Sequence, residues 1–147
     1  MSTVKKSDVE KRYRSIIIDP EKRIVEVVPT TASLEEIHTL VNAKTLDHFR
    51  IAEFDKTFDY GWVDDGGLSR GEPIYAFLFS IRKDPIAGRC LLLGVDKDER
   101  GTVDAGFNID ILKESIEWLG LIKPEVTWDH QENSDVAIVT YSRVKTT

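Results

Sequence analysis

The stretch from Ile16 to Val28 constrains this chain more than any other. Ile16, Ile17 and Ile18 are adjacent and β-branched, and branching at Cβ suits a pleated, extended backbone better than a helix. Asp19-Pro20-Glu21-Lys22 follows, with the proline's fixed φ at a position that a turn favours. Ile24-Val25-Glu26-Val27-Val28 then resumes the β-branched pattern and stops at Pro29. The pattern predicts two antiparallel strands joined by a turn.

A short helix is expected next. Ser33 is a good N-cap and Glu36 stands at the capping-box spacing. Leu34, Ile37, Leu40 and Val41 make one apolar stripe, with His38 at its boundary. Residues 46–54 alternate, with Phe49, Ile51 and Glu53 pointing one way and His48, Arg50, Ala52 and Phe54 the other. Tyr60-Gly61-Trp62-Val63 reads as a strand, and Asp64-Asp65-Gly66-Gly67 as the tight turn that ends it. The apolar and aromatic run 73–82 fits a buried strand or a short buried helix equally well. Pro85-Ile86-Ala87-Gly88 reads as a loop, and Leu91 to Val95 as a buried strand closed by Asp96.

In the last third, Ile109, Leu112, Ile116 and Leu119 recur at three- and four-residue steps. This spacing predicts a helix over 108–119, capped by Asn108 and ended by a left-handed Gly120, with Pro124 as a further stop. Val126-Thr127-Trp128 and Val136 to Tyr141 form a second hairpin, turned through Glu132-Asn133-Ser134. The expected fold class is α+β: a largely antiparallel sheet of five to seven strands with two helices packed on it. Residues 1–13 are expected to be a basic tail or short helix and 14–147 a single domain.

Composition supports one core. The chain has 147 residues and is 41% hydrophobic, near the commonest domain size and the usual apolar share. No apolar run approaches the ~20 residues of a membrane-spanning helix. Met1 to Lys6 leads into charges rather than an apolar segment, unlike a secretory signal, so no membrane association and a cytoplasmic location are expected. Cys90 is the only cysteine, which rules out a disulfide within the chain and leaves no thiolate set for zinc. It is expected to be a small buried residue of its strand. Residues 1–14 carry five cations against two carboxylates, so the other 133 sum to −9 within a net charge of −6. An acidic body argues against phosphate-backbone binding except through the basic N-terminal tail.

Residues 14–104 resemble the DUF3846 family of small domains found in phages, plasmids and their bacterial hosts. The resemblance is carried by the Ile16 to Val28 hairpin, by Leu34-Glu35-Glu36-Ile37, and by Trp62-Val63-Asp64-Asp65-Gly66-Gly67-Leu68. Ile86-Ala87-Gly88 leading into Leu92-Leu93-Gly94-Val95-Asp96 adds to it. It implies a mobile-element setting and no reaction, and it brings no catalytic residues.

Local motifs assign no chemistry. Asp96-Lys97-Asp98-Glu99-Arg100-Gly101 opens like a calcium loop, but Arg100 and Phe107 stand where oxygen ligands are needed, so a charged turn is expected. His38, His48 and His130 match no zinc spacing, and neither a G-x-S-x-G elbow nor a phosphate-cradling loop is present. Glu53, Asp59, Asp64 and Asp65 lie near Tyr60 and Trp62 in an acidic, aromatic stretch, and Trp118 departs from the main helix stripe as a boundary anchor. These seven residues are the candidate binding positions. Catalytic residues, metal ligands and cofactors are not implied. The resulting expectation is a non-enzymatic interaction module of a mobile genetic element, meeting a host or element-encoded protein, for which an inhibitor of a host defence system would fit. The alternative is a small-molecule-binding domain or enzyme using Glu53, Asp64 and Asp65.

Overall fold

The structure, a computed structural model, describes residues 11–80, 82–132 and 134–145. Most of the expected basic tail lies outside the described residues, as do Ile81 of the 73–82 run and Asn133 of the second turn. The elements run β1 (Tyr13–Asp19), β2 (Ile24–Thr30), α1 (Leu34–Val41), β3 (Leu46–Glu53), β4 (Thr57–Asp64), β5 (Ile74–Phe79), β6 (Ile86–Ala87), β7 (Cys90–Asp96), β8 (Thr102–Val103), α2 (Ile109–Glu114), β9 (Ile116–Gln131) and β10 (Ser134–Arg143). All strand pairs are antiparallel, so the α+β class with antiparallel sheet holds.

The strands divide between two sheets rather than forming the single one expected. The first has the order β2-β1-β7-β4-β3, and β8 joins β7 beyond the end of β1. The second has the order β10-β9-β5-β6. The division follows from what each face buries. Ile16, Ile18, Cys90 and Leu92 pack with Phe77, Phe79 and Ile86 of the second sheet and Leu112 of α2. Leu91 and Leu93, on the opposite face, pack with Ile37 and Val41 of α1. A strand covered on both faces needs an unbroken apolar run instead of alternation, which is what Ile16-Ile17-Ile18 and Leu91-Leu92-Leu93 supply.

The first hairpin forms as expected, with Ile16 opposite Val27 and Asp19 opposite Ile24. Asp19 Oδ1 accepts from the amides of Glu21 and Lys22 at 3.0 and 3.3 Å, which shapes the turn. Ser33 caps α1, its hydroxyl accepting from the Glu36 amide at 3.2 Å. The Glu36 carboxylate accepts instead from Thr31 Oγ1 at 2.6 Å, so half of the capping box forms. The 73–82 run resolves as strand β5, and the loop expected at 85–88 contains the two-residue strand β6.

The helix expected over 108–119 is shorter. Asn108 caps it as predicted, Oδ1 accepting from Asp110 and Ile111, but α2 stops at Glu114 and the chain is extended from Ile116. Ile116 and Trp118 pair with Phe79 and Phe77. Burying the inner edge of β5 outweighs a helix propensity worth a few tenths of a kcal/mol per residue. Leu119 is the extra residue of a bulge, and Gly120 beside it takes a φ of +73°, so its left-handed conformation serves a strand. Pro124 does not stop the chain. It sits in β9 opposite Tyr141.

Two side chains fasten the loop between β8 and α2 to the first sheet. The Arg14 guanidinium donates to the carbonyls of Ala105 and Phe107 at 2.8 and 3.1 Å. Asp59, buried on β4, accepts from the Gly106 amide at 2.8 and 3.0 Å and from the Phe107 amide at 3.2 Å. Gly106 lies so close to the Phe54 ring that a Cβ there would stand 2.7 Å from it.

Candidate functional site: an aromatic and cationic groove

Helix α1 is eight residues long and covers one part of the outer face of the first sheet, leaving part of β3, β4 and β7 open. Phe58, Tyr60 and Trp62 alternate along β4, so all three rings stand on that open face. Across the ladder to β3, His48 pairs with Trp62, Arg50 with Tyr60 and Glu53 with Phe58. Across the ladder to β7, Leu93 pairs with Tyr60 and Val95 with Phe58. These residues apart from Glu53, with Asp96, Lys97, Arg100 and Thr102 on the far side, line a groove of about 430 Å³, within the range of small-ligand sites.

The groove is layered. The His48 imidazole stacks on Trp62 with ring centres 4.7 Å apart and 30° between planes. The Arg50 guanidinium lies 4.1 Å from the centre of the Phe58 ring, and the Lys97 ammonium 4.8 Å from the same ring. Lys97 also donates to Glu53 Oε1 at 2.7 Å and to the Asp55 carbonyl at 3.3 Å. The Asp96 turn presents Lys97 and Arg100. Asp96 Oδ1 accepts from the amides of Asp98 and Glu99 at 2.8 and 3.1 Å, which holds its carboxyl below the usual range, and Arg100 takes a left-handed φ of +56°. The charged turn expected from the sequence is therefore the groove's cationic wall. Arg50, Lys97 and Arg100 outnumber the one lining carboxylate, Asp96.

A bulge sets the chemistry of the β3 edge. Ile51 is the unpaired extra residue between Arg50 and Ala52, so Ile51 and Ala52 both pack with the main core. The alternation expected for 46–54 is reversed beyond that point. Glu53 thereby leaves the Phe49 and Ile51 side and joins Arg50 on the groove side, where Lys97 meets it.

The seven candidate positions do not converge. Tyr60 and Trp62 line the groove and Glu53 stands at its rim. Lys97 holds the Glu53 carboxyl below its ordinary range, first through the hydrogen bond and then through its charge. Asp59 faces the opposite way into the core. Burial pushes its carboxyl up, and the Gly106 and Phe107 amides and the Arg14 charge partly reverse that. Asp64 takes two hydrogen bonds from Arg70, at 2.5 and 3.0 Å, and one from the Gly66 amide at 3.0 Å. The Arg70 bond is the main reason its carboxyl lies below the usual range. Asp65 is exposed beside it. Trp118 meets Phe77 edge-on at 6.1 Å in the main core.

His48, Arg50, Phe58, Lys97 and Arg100 carry the groove and were not candidates in the sequence. The period-two spacing of Phe58, Tyr60 and Trp62 was the available signal. Cys90 is fully buried, and burial pushes its thiol up to about 12, far from a nucleophile's range. Among the described residues, no group of three His, Cys, Asp or Glu is placed to hold a metal ion, and no helix is long and apolar enough to cross a membrane.

No family model matches the chain, and comparisons with curated proteins and with solved structures return no match.

Proposed function

We propose that this chain is a non-enzymatic binding module whose groove takes a small planar anion of the nucleotide class. The observation that carries the reading is the row Phe58, Tyr60, Trp62 with Arg50 and His48 stacked over it and Lys97 and Arg100 beside it. Flat aromatic and guanidinium layers accept a base by stacking, at about 1–3 kcal/mol per base. Arg50 and Arg100, with Lys97 shared with Glu53 at the rim, attract a phosphate despite the acidic body. An enzymatic role for Glu53, Asp64 and Asp65 gains no support, because Lys97 holds Glu53 and Arg70 holds Asp64, and the carboxylates do not face one another.

Calorimetric titration with ADP, adenosine and inorganic phosphate tests this reading. ADP is expected to bind with a dissociation constant on the order of 10 µM, and the two fragments at least ~10-fold more weakly. Arg50→Gln, at an exposed position, is expected to weaken ADP by about 10-fold without lowering the melting temperature. The absence of saturable ADP binding by the unaltered protein refutes the proposal.

A second reading keeps the partner a protein, host or element-encoded, in the mobile-element setting that the DUF3846 resemblance implies. It is favoured by the ribbon of β9 and β10, which exposes Trp128 and Tyr141 on one face and Val136 and Ile138 on the other, since exposed apolar patches mark interaction surfaces.

A further inference from the structure

The outer edge of the β9–β10 ribbon, which shares no residue with the groove, specifies one occupant. β5 pairs with β9 only as far as Ile122. From there to the turn, β9 and β10 form a two-stranded ribbon, and β10 ends the sheet. Every residue of β10 except Val139 is exposed. Edge strands are ordinarily defended by Lys, Pro, bulges or short length. β10 is ten residues long, has no bulge in its pairing with β9, and carries neither charge nor proline from Val136 through Ser142.

Hydrogen-bond parity shows which groups are free. The Val144 amide donates to the Leu121 carbonyl at 2.8 Å. Antiparallel ladders alternate bonded and non-bonded pairs, so in the register of this ribbon Ser142, Thr140, Ile138 and Val136 direct their backbone groups toward β9. Pro124 agrees with that parity, since it faces Tyr141 at a non-bonded pair where no N–H is needed. Asp135, Ala137, Val139, Tyr141 and Arg143 therefore direct their N–H and C=O groups outward.

We propose that β10 pairs with β10 of a second copy, antiparallel and two-fold symmetric about Val139. In that register Val139 faces its own symmetry mate, Ala137 faces Tyr141 and Asp135 faces Arg143. These are the five residues whose backbone groups point outward, so all of them bond, giving about ten hydrogen bonds across the dyad. Charge complementarity within the strand favours this register. Both ends of the contact bring a carboxylate against a guanidinium, whereas a shift by two residues sets either Asp135 on Tyr141, or Arg143 on Ala137 with Asp135 opposite Lys145, which lies beyond the end of β10 at Arg143. Asp135 uses Oδ1 for His130, at 2.8 Å, and offers Oδ2 to Arg143. The side chains of the five share a face with Val126 and Trp128 of β9, so an apolar strip of Trp128, Ala137, Val139 and Tyr141 continues across the dyad. A single strand edge makes a contact below the ~1,200 Å² of standard interfaces, and the dimer is accordingly a weak one, dissociating on the order of 10 µM.

Sedimentation equilibrium from roughly 1 µM to 1 mM at low ionic strength reads the association directly. The unaltered chain is expected to pass from monomer to dimer over that range. Asp135→Arg alone puts two guanidinium groups together at each end, and Arg143→Asp alone puts two carboxylates together. Each is expected to raise the dissociation constant at least ~10-fold. An equimolar mixture of the two single variants is expected to dimerise again, because every cross-dyad pair is then of opposite charge. The double variant D135R/R143D recovers dimerisation for the same reason, and recovery shows that the β10 edge is folded. A strictly monomeric unaltered chain overturns the proposal and leaves the edge to a foreign strand. Single variants that dimerise normally, or a mixture and double variant that both stay monomeric, overturn the register.

Discussion

Asp59 and Asp64 share one strand, yet their carboxyls are pushed in opposite directions. Asp59 is displaced upward by burial and Asp64 downward by Arg70. The two therefore act oppositely on stability. The Asp64 contribution is complete above the unfolded value near 3.9 and is lost as pH falls through the lower folded value. Asp59 in the folded state holds its proton more tightly than in the unfolded chain, so stability falls as pH rises from about 3.9 to its higher folded value. Carboxyl ¹³C titration is expected to place Asp59 above and Asp64 below the ordinary aspartate midpoint, and Arg70→Ala to return Asp64 toward it. The stability change at neutral pH for Arg70→Ala is expected to be under ~1 kcal/mol, because the guanidinium is half exposed to solvent. Equal midpoints for both carboxyls would contradict the geometry of each.

At the scale of elements, two bulges decide what the sequence periodicity left open. The one at Ile51 turns two successive residues, buried Ile51 and half-buried Ala52, toward the core and sends Glu53 to the groove. The one at Leu119 lets β9 follow β5 after α2 ends. Deleting Ile51 should keep Arg50 opposite Tyr60 and Glu53 opposite Phe58 while removing one buried isoleucine. The expected result is a loss of about 2–4 kcal/mol in urea unfolding with ADP affinity changed less than ~2-fold. A lost groove with unchanged stability would show that the bulge does not set the faces. The 109–119 region shows why short elements resist reading. Ile116 and Leu119 satisfy a helical period, and Ile116 and Trp118 satisfy a strand period, so the partner strand chooses between them. Asn108 is readable because a cap acts locally, through the Asp110 and Ile111 amides.

The whole molecule is a firmly buried pair of facing sheets with an exposed ribbon. β1 and β7 supply Ile16, Ile18, Leu91 and Leu92 with essentially no exposure, whereas Trp128 in the ribbon is 61% exposed. Opening free energies follow local burial. Hydrogen exchange at low protein concentration is expected to be slowest in β1 and β7 and faster by orders of magnitude at the ribbon's outward amides of Ala137, Val139 and Tyr141. Those three are expected to slow as concentration rises through the dimerisation range, while the β7 amides stay constant. Uniform protection across both sheets would contradict this gradient.

Local chemistry in the chain determined the first hairpin, the capped start of α1, the buried strand around Cys90, the second hairpin and the Asp96 turn. Each rests on neighbouring residues whose preferences act over a few positions. Only the tertiary structure decided that there are two sheets, that β5 and not a helix fills the 73–82 run, and that the helix after Asn108 ends early. It also decided that Glu53 turns to the groove while Asp59 turns to the core. The reason is physical: face and partner depend on strand register, which one bulge can invert, and on burial supplied by residues far away in the chain. The groove stayed hidden for the same cause, since Arg50, Phe58 and Lys97 come from three separate segments that only the β3–β4–β7 ladder brings together.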